Sequence, residues 1–518
     1  MLYDAMDMTL SGLVVVGPSP QDGIHFDGSF TQHSGLLYNG NYGKDLINAF
    51  VQLESETLWT NYGANSTYQE AFTTLMGGSE WMVFLDSETG QLHWDYNVIG
   101  RFVAFATEDQ QASADVNINM AKLSDAVANF ANLDVMYDVM DRMGSNFSKP
   151  LHGNRAFPAS DYMVHRGEGF VLGNKLLSTR TNSTECTNSA NIDGYHMGHG
   201  TLFAYGSGHE YVDIMGQWDW NLIPGTTVLL GEPDVIDVEC ANVAQSGTRT
   251  AVGVVSDGTL GMSMMDYHDE VADLSFRKSW AFFGDRVVVT VTKVETGSDK
   301  PLITVLDNRR SADSKVPVVD GAATHNAEQN AKSVFYDNKG YVANTEFELT
   351  MEDVWREGNW SVISTSTQGV QSAPIWSAYT VTPKDFFSYT FFPNTDLDTV
   401  LAEADAPSTE IFDDDHLHHG VKFGDNYAVA FFETGTAWYK GENYSIAIGS
   451  SDPALVLAHD NGSDEVQLSV SDPTQSLDKL VITITRCNSR YCKSGNVDIE
   501  LPKTGETVSG SVSYDLSS

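Results

Sequence analysis

Two neighbouring segments near the start carry residue types suited to moving a proton. Asp27-Gly28-Ser29-Phe30-Thr31-Gln32-His33 is followed by Tyr38-Asn39-Gly40-Asn41-Tyr42-Gly43. Glycines around His33 and Tyr42 put both side chains on irregular backbone, where they can be presented to a ligand. A tyrosine ionises near pH 10, so it needs an adjacent cation before it can act as a base. Ile99-Gly100-Arg101 offers such a cation at the end of an aromatic loop containing Trp94, Tyr96 and Asn97. Farther on, Glu185, Asn188 and Asn191 crowd a polar stretch from Asn182 to Asn191. An amide there could donate to a substrate anion, and a carboxylate could orient the arginine or the amide.

These residues need scaffolding, and the chain has ample material for it. At 518 residues it is too long for one ordinary core, and two or three domains are expected. Apolar residues recur at helical spacing up to about residue 145: Leu46, Ile47, Phe50, Val51 and Leu53 form one stripe, Leu123, Val127, Phe130, Leu133 and Met136 another. After Pro150 the texture becomes short β-branched and aromatic runs punctuated by Gly, Asp and Asn. Val287 to Val291 reads as a buried strand, with Gly284-Asp285-Arg286 as the turn before it. Helices followed by a long run of strands define an α+β chain with segregated domains. The expected units are residues 1–147, 148–405 and 406–518, the acidic stretch Glu403 to Asp415 with Pro407 serving as a linker.

The formal charge of −41 argues against nucleic acid and anionic membranes as partners. One cationic island interrupts it: Lys149, Arg155, Arg166, Lys175 and Arg180 face only Asp161 and Glu168 over that span. Arg155 and Arg166, with Trp94, Asn97 and Asn191, are therefore the candidate substrate-binding residues around an acidic ligand. No run is long and apolar enough to cross a bilayer. Asp4 and Asp7 stand where a secretory signal would be basic, so the first twenty residues do not read as one. Cys487 and Cys492 are close enough to close a small loop, and Cys186 could pair with Cys240 if the fold permits. His196 and His199 sit among glycines that disfavour a metal-binding helix, and Asp413 to His419 has the composition of an acidic linker, so no metal is expected. No phosphate loop or serine-nucleophile elbow is present, and no cofactor is expected.

Together the quoted elements resemble polysaccharide lyase family eight, which includes hyaluronate, chondroitin AC, xanthan and some mannuronan lyases. The resemblance is an ordered series over the first 290 residues or so: the His33/Tyr42 pair, the Arg101 loop, Phe157-Pro158-Ala159-x-Asp161, Glu185-x-x-Asn188, and Trp218 to Thr227. It implies an N-terminal α/α toroid, a large antiparallel β-sandwich domain and a small C-terminal β-domain. It also implies β-elimination of an acidic polysaccharide by a secreted protein with no cofactor, and the chain is expected to act as a monomer. His33, Tyr42, Arg101, Glu185 and Asn188 would be the catalytic set, with either His33 or Tyr42 as base. Two departures stand out. Phe105 occupies the place of a second family arginine, and His33 lies so near the N-terminus that a truncated toroid is expected. The acidity leans the substrate towards polymannuronate, with a glycosaminoglycan as rival and an inactive carbohydrate-binding remnant as the alternative of another class.

Overall fold

The computed structural model describes residues 10–109, 114–144, 150–231, 246–312, 314–413, 416–441, 444–462 and 465–513. Its helical part contains α1 (Lys44–Thr57), α2 (Ser66–Ser79), α3 (Met120–Ala126) and α4 (Leu133–Met143). Helix α1 buries Ile47, Phe50 and Val51, the centre of the apolar stripe, while Leu46 and Leu53 pack at its margin. The second stripe divides between α3 and α4, because Val127 to Phe130 closes tight backbone turns instead of continuing the helix. Asn65 caps α2 by accepting from the Tyr68 amide, which satisfies one of the four amides a helix start leaves unpaired.

The remainder is antiparallel sheet in stacked layers. Four strands between Gly153 and Tyr205 form one sheet, and a twelve-stranded sheet spans residues 227–392. The C-terminal part contributes a six-stranded and a four-stranded sheet. The run Val287 to Val291 shows why layers form. Val287, Val289 and Val291 share a core with Met163, Leu172 and Leu202 of the first sheet. Val288 points the other way and packs with Val421, Ala428 and Leu455 of the C-terminal part. A strand covered on both faces has no polar side to show, so its sequence is a continuous apolar run instead of an alternation. Tyr427, Val429 and Phe431 repeat the device one layer on, closing the last core with Ile446, Ile448 and Ile482.

The acidic stretch expected as a linker is largely structured. Leu397–Asp405 is a helix, capped where Asp396 accepts from the Thr399 amide, and it buries Val400 against the large sheet. Glu410–Asp413 is a strand paired with His418–Phe423. His419 lies in the interior, bonded to Ser279 and Thr292, and serves the sheet contact. Cys487 and Cys492 form a disulfide, and Cys186 is disulfide-bonded too, while Cys240 lies outside the described residues.

Burial leaves a pH signature. It pushes His196, His199 and His419 down to about 3 from an ordinary 6.5. A histidine depressed in the folded state charges first in the unfolded chain, so the stability these groups permit is complete above about pH 6.5 and is lost as pH falls towards 3. Each should cost up to about 1.4 kcal/mol per pH unit in that window. Denaturant midpoints should therefore fall from pH 7 to pH 5, and His419→Asn should flatten the slope. An unchanged slope would remove His419 from the effect.

Candidate active site

The helical part and the first sheet share one continuous core, in which Phe50, Trp94 and Val98 join Phe157, Tyr162, Phe203 and Trp218. The candidate residues gather on this seam. Asn39–Gly43 forms a single π-helical turn running into α1, a local overwinding often found at functional sites. It sets Tyr38 and Tyr42 side by side, ring centroids 5.0 Å apart and nearly perpendicular. Before it, His33 and Ser34 hold left-handed backbone with φ of 56° and 66°. Such angles cost free energy in non-glycine residues and persist only when neighbours enforce them. Asn182 does so here, its amide donating to the carbonyls of His33 and Ser34.

Arg101 arrives on a loop anchored from below. Buried Asp95 accepts from the hydroxyls of Tyr162 and Tyr205 and from the Asn97 amide, tying the loop to the first sheet. Gly100 has a φ of 54°, and a Cβ there would sit 2.2 Å from the Tyr38 ring. The glycine of Ile99-Gly100-Arg101 is thus required twice, for its left-handed backbone and for close approach to Tyr38.

Glu185 ties these parts together. One carboxylate oxygen lies 2.6 Å from His33 Nδ1. The other accepts from the Tyr38 hydroxyl at 2.5 Å and from Arg101 Nη1. Arg101 Nη2 donates to the Tyr42 oxygen at 2.9 Å, so one buried cation bridges the carboxylate and the tyrosine. Burial opposes the charge on Arg101, but the oxygens of Tyr38, Tyr42 and Glu185 outweigh it and hold its pKa above the ordinary arginine value. Tyr38 behaves oppositely to a base: burial, then the Glu185 charge, raise its pKa well above that of a free phenol. It stays protonated and donates. His33 keeps a side chain 35% exposed, and among the described residues no protein partner is recorded for its Nε2. The π-turn and the Glu185 loop thus present an imidazole edge and a phenol oxygen beside a fixed positive charge.

Of the residues expected around an acidic ligand, His33, Tyr42, Arg101 and Glu185 are in mutual contact. Asn188 stands apart on an exposed two-residue turn between Thr187 and Ala190, with the left-handed φ of 54° that asparagine tolerates. The five residues expected as substrate contacts all make contacts within the protein. Trp94 is fully buried in the shared core and offers no surface for a sugar ring. Asn97 is spent structurally, donating to the Gly173 carbonyl and accepting from Thr201. Asn191 is buried beneath the Glu185 loop, its amide bonded to Thr184 and to the Glu185 carbonyl. Arg155 donates to the carbonyls of Gly77 and Asp27, and Arg166 to those of Trp81 and Val83. Both arginines staple the helical part to the first sheet. His196 and His199 are buried, with their Nδ1 atoms 3.2 Å apart and His199 bonded to Tyr267.

Sequence reasoning gave Tyr38 and Asn182 no role. The four-residue spacing of Tyr38 and Tyr42 was the one available signal, since it places both on one helical face.

A helical domain is thus seated on layered antiparallel sheets, with this cluster at the seam. The sequence matches the N-terminal α-helical domain of polysaccharide lyase family 8 over residues 12–137, its super-sandwich domain over 152–404 and its C-terminal β-sandwich domain over 419–481. The chain belongs to polysaccharide lyase family 8. It is 22% identical to the chondroitinase-AC of Pedobacter heparinus over 94% of its own length and 69% of that protein's. It is 25% identical to the xanthan lyase of a Bacillus species, covering 94% of itself and 55% of the relative. For the hyaluronate lyase of Staphylococcus aureus the figures are 21%, 93% and 65%. The chain therefore spans between about half and two thirds of the length of these relatives. A solved chondroitinase AC lyase matches with a TM-score of 0.85 at 19% identity, covering 98% of this chain and 75% of that one. The chondroitin AC lyase of Streptomyces coelicolor A3 matches with a TM-score of 0.81, also at 19% identity, over 99% and 74%.

Proposed function

We propose that this chain cleaves a uronic-acid polysaccharide by β-elimination, leaving a 4,5-unsaturated uronate at the new end. The observation that carries the reading is the Arg101 bridge between Glu185 and the Tyr42 oxygen. A uronate holds a proton on C5 beside its carboxylate and the glycosidic oxygen on C4. As the C5–H bond breaks, its electron pair becomes the C4=C5 bond and the C4–O bond leaves. Tyr42, kept near a fixed cation, can take the C5 proton as phenolate and return it as phenol to the departing oxygen. His33 is the alternative base, with Tyr42 then acting as the acid alone. The C5 carboxylate must be neutralised for its neighbouring proton to leave, and preorganised donors do this best. The exposed Asn188 amide and His33 Nε2 are the donors proposed for it. Glu185 and Tyr38 position Arg101 and do not touch substrate.

The relatives are a chondroitinase, a xanthan lyase and a hyaluronate lyase, and these names do not support the polymannuronate lean drawn from acidity. The reading is therefore a glycosaminoglycan-type lyase, working as a secreted monomer on a soluble or matrix polyanion. Among the described residues no helix is long and apolar enough to cross a membrane. Incubation with hyaluronan, chondroitin and polymannuronate, followed by ultraviolet absorbance of the unsaturated product, tests it. Product is expected from hyaluronan or chondroitin. Silence on all three would end the active-lyase reading.

A further inference from the structure

The residues beside Tyr42 on the arginine loop are apolar and partly open. Phe102 lies 6.3 Å from the Tyr42 ring and 6.0 Å from Phe105, so three rings run in a ladder away from the acid/base group. Phe102 and Phe105 are both only partly buried. Arg101 lies 4.5 Å over the face of Phe102, but its donors are already given to Tyr42, Tyr38 and Glu185. Four of the five cations between residues 149 and 180 are likewise engaged. Arg155 and Arg166 bond backbone carbonyls, Lys175 donates to the Leu176 carbonyl, and Arg180 holds Asp161 and three more carbonyls. Lys149 lies outside the described residues. Arg249 is exposed, but its loop bonds Asn182 through Ser246 and so adjoins the His33 segment.

Resting on the lyase reading above, we infer that Phe102 and Phe105 are the platform for the sugar next to the scissile bond, and that they select an unsulfated uronan. A pyranose C–H face or an acetyl methyl gains contact area on such rings. A sulfate ester pressed against them would lose its hydration without gaining a donor from either ring. The site therefore favours hyaluronan-type or unsulfated chondroitin chains over chondroitin 4-sulfate and 6-sulfate.

The experiment compares kcat/KM on hyaluronan, desulfated chondroitin and the two sulfated chondroitins, for the native chain and for Phe105→Arg and Phe105→Ala. Unsulfated chains should be preferred by about tenfold or more, since a buried unpaired charge is the discriminating element. Phe105→Arg should shrink that preference by about tenfold, chiefly by raising the rate on sulfated chains, because a guanidinium supplies the missing donor. Phe105→Ala should weaken unsulfated substrates through KM. Affinities of the same chains for Tyr42→Phe, read by calorimetry, give the preference again without turnover. Equal treatment of sulfated and unsulfated chains, or a Phe105→Arg preference unchanged in both turnover and binding, overturns the platform while leaving the lyase reading intact. Absent turnover with selective binding overturns the lyase reading instead and supports the platform.

Discussion

Replacing Tyr42 by phenylalanine is expected to lower kcat by about a thousandfold or more, with KM within about twofold of native. The ring itself is not the reason. Phenylalanine keeps the edge contacts with His33 and Tyr38, whose centroids lie 5.1 and 5.0 Å away, so the π-turn and its packing survive. What disappears is the oxygen that accepts from Arg101 at 2.9 Å. Without it the acid proposed for the leaving oxygen is gone, whichever residue takes the C5 proton first. Substrate binding uses the walls around the cluster and should persist, which separates a lost chemical step from a collapsed site. Steady-state rates on hyaluronan with calorimetric binding decide it. Retained turnover would remove Tyr42 from proton transfer and leave His33 as the group to test. A large rise in KM would recast Tyr42 as a binding residue.

The architecture was legible where the apolar pattern is one-dimensional. The stripe of α1 and the unbroken Val287 to Val291 run each report burial, and the structure shows the second to be covered on two faces by different domains. The candidate cluster was legible as residue types but not as partners. His33, Arg101 and Glu185 stand far apart in sequence, and nothing local states that one carboxylate joins them. The supporting residues were the least legible. Arg155, Arg166 and Asn191 carry the groups that would suit an acidic ligand, but a sequence does not reveal that backbone carbonyls and a threonine have already taken their donors. Asp161 is similar, for it neutralises Arg180 from a fully buried position and so helps dissolve the apparent cationic island. The acidic segment around residue 403 misled in the reverse sense. Its helix is fixed to the sheet by one buried side chain, Val400, and by Glu403, which pairs with Arg286.

Removing Glu185 should damage both stability and rate, in a pattern that identifies it as a positioning residue. Its side chain is 5% exposed and that of Arg101 is 8% exposed, so the pair is shielded from screening by solvent. Glu185→Ala would leave the guanidinium buried without its carboxylate and strip the partners from Tyr38 and His33 at once. Breaking such a pair from one side costs about 3–5 kcal/mol, because the remaining charge is uncompensated. Glu185→Gln keeps the volume and one acceptor for Arg101, so it should recover a large part of the lost stability. It should not recover the rate. A neutral amide offers a donor face to either the Tyr38 hydroxyl or His33, and one of them must swing from the position that Glu185 now enforces. Small displacements of this kind typically cost about a hundredfold in rate. The expected signature is a low kcat in both variants, KM little changed in Glu185→Gln, and near-native chemical denaturation for Glu185→Gln alone. If Glu185→Gln instead raises KM with kcat intact, Glu185 contacts the sugar directly and the Arg101 bridge has another purpose. If it restores both stability and rate, the negative charge is dispensable and Tyr42 owes its activation to Arg101 alone.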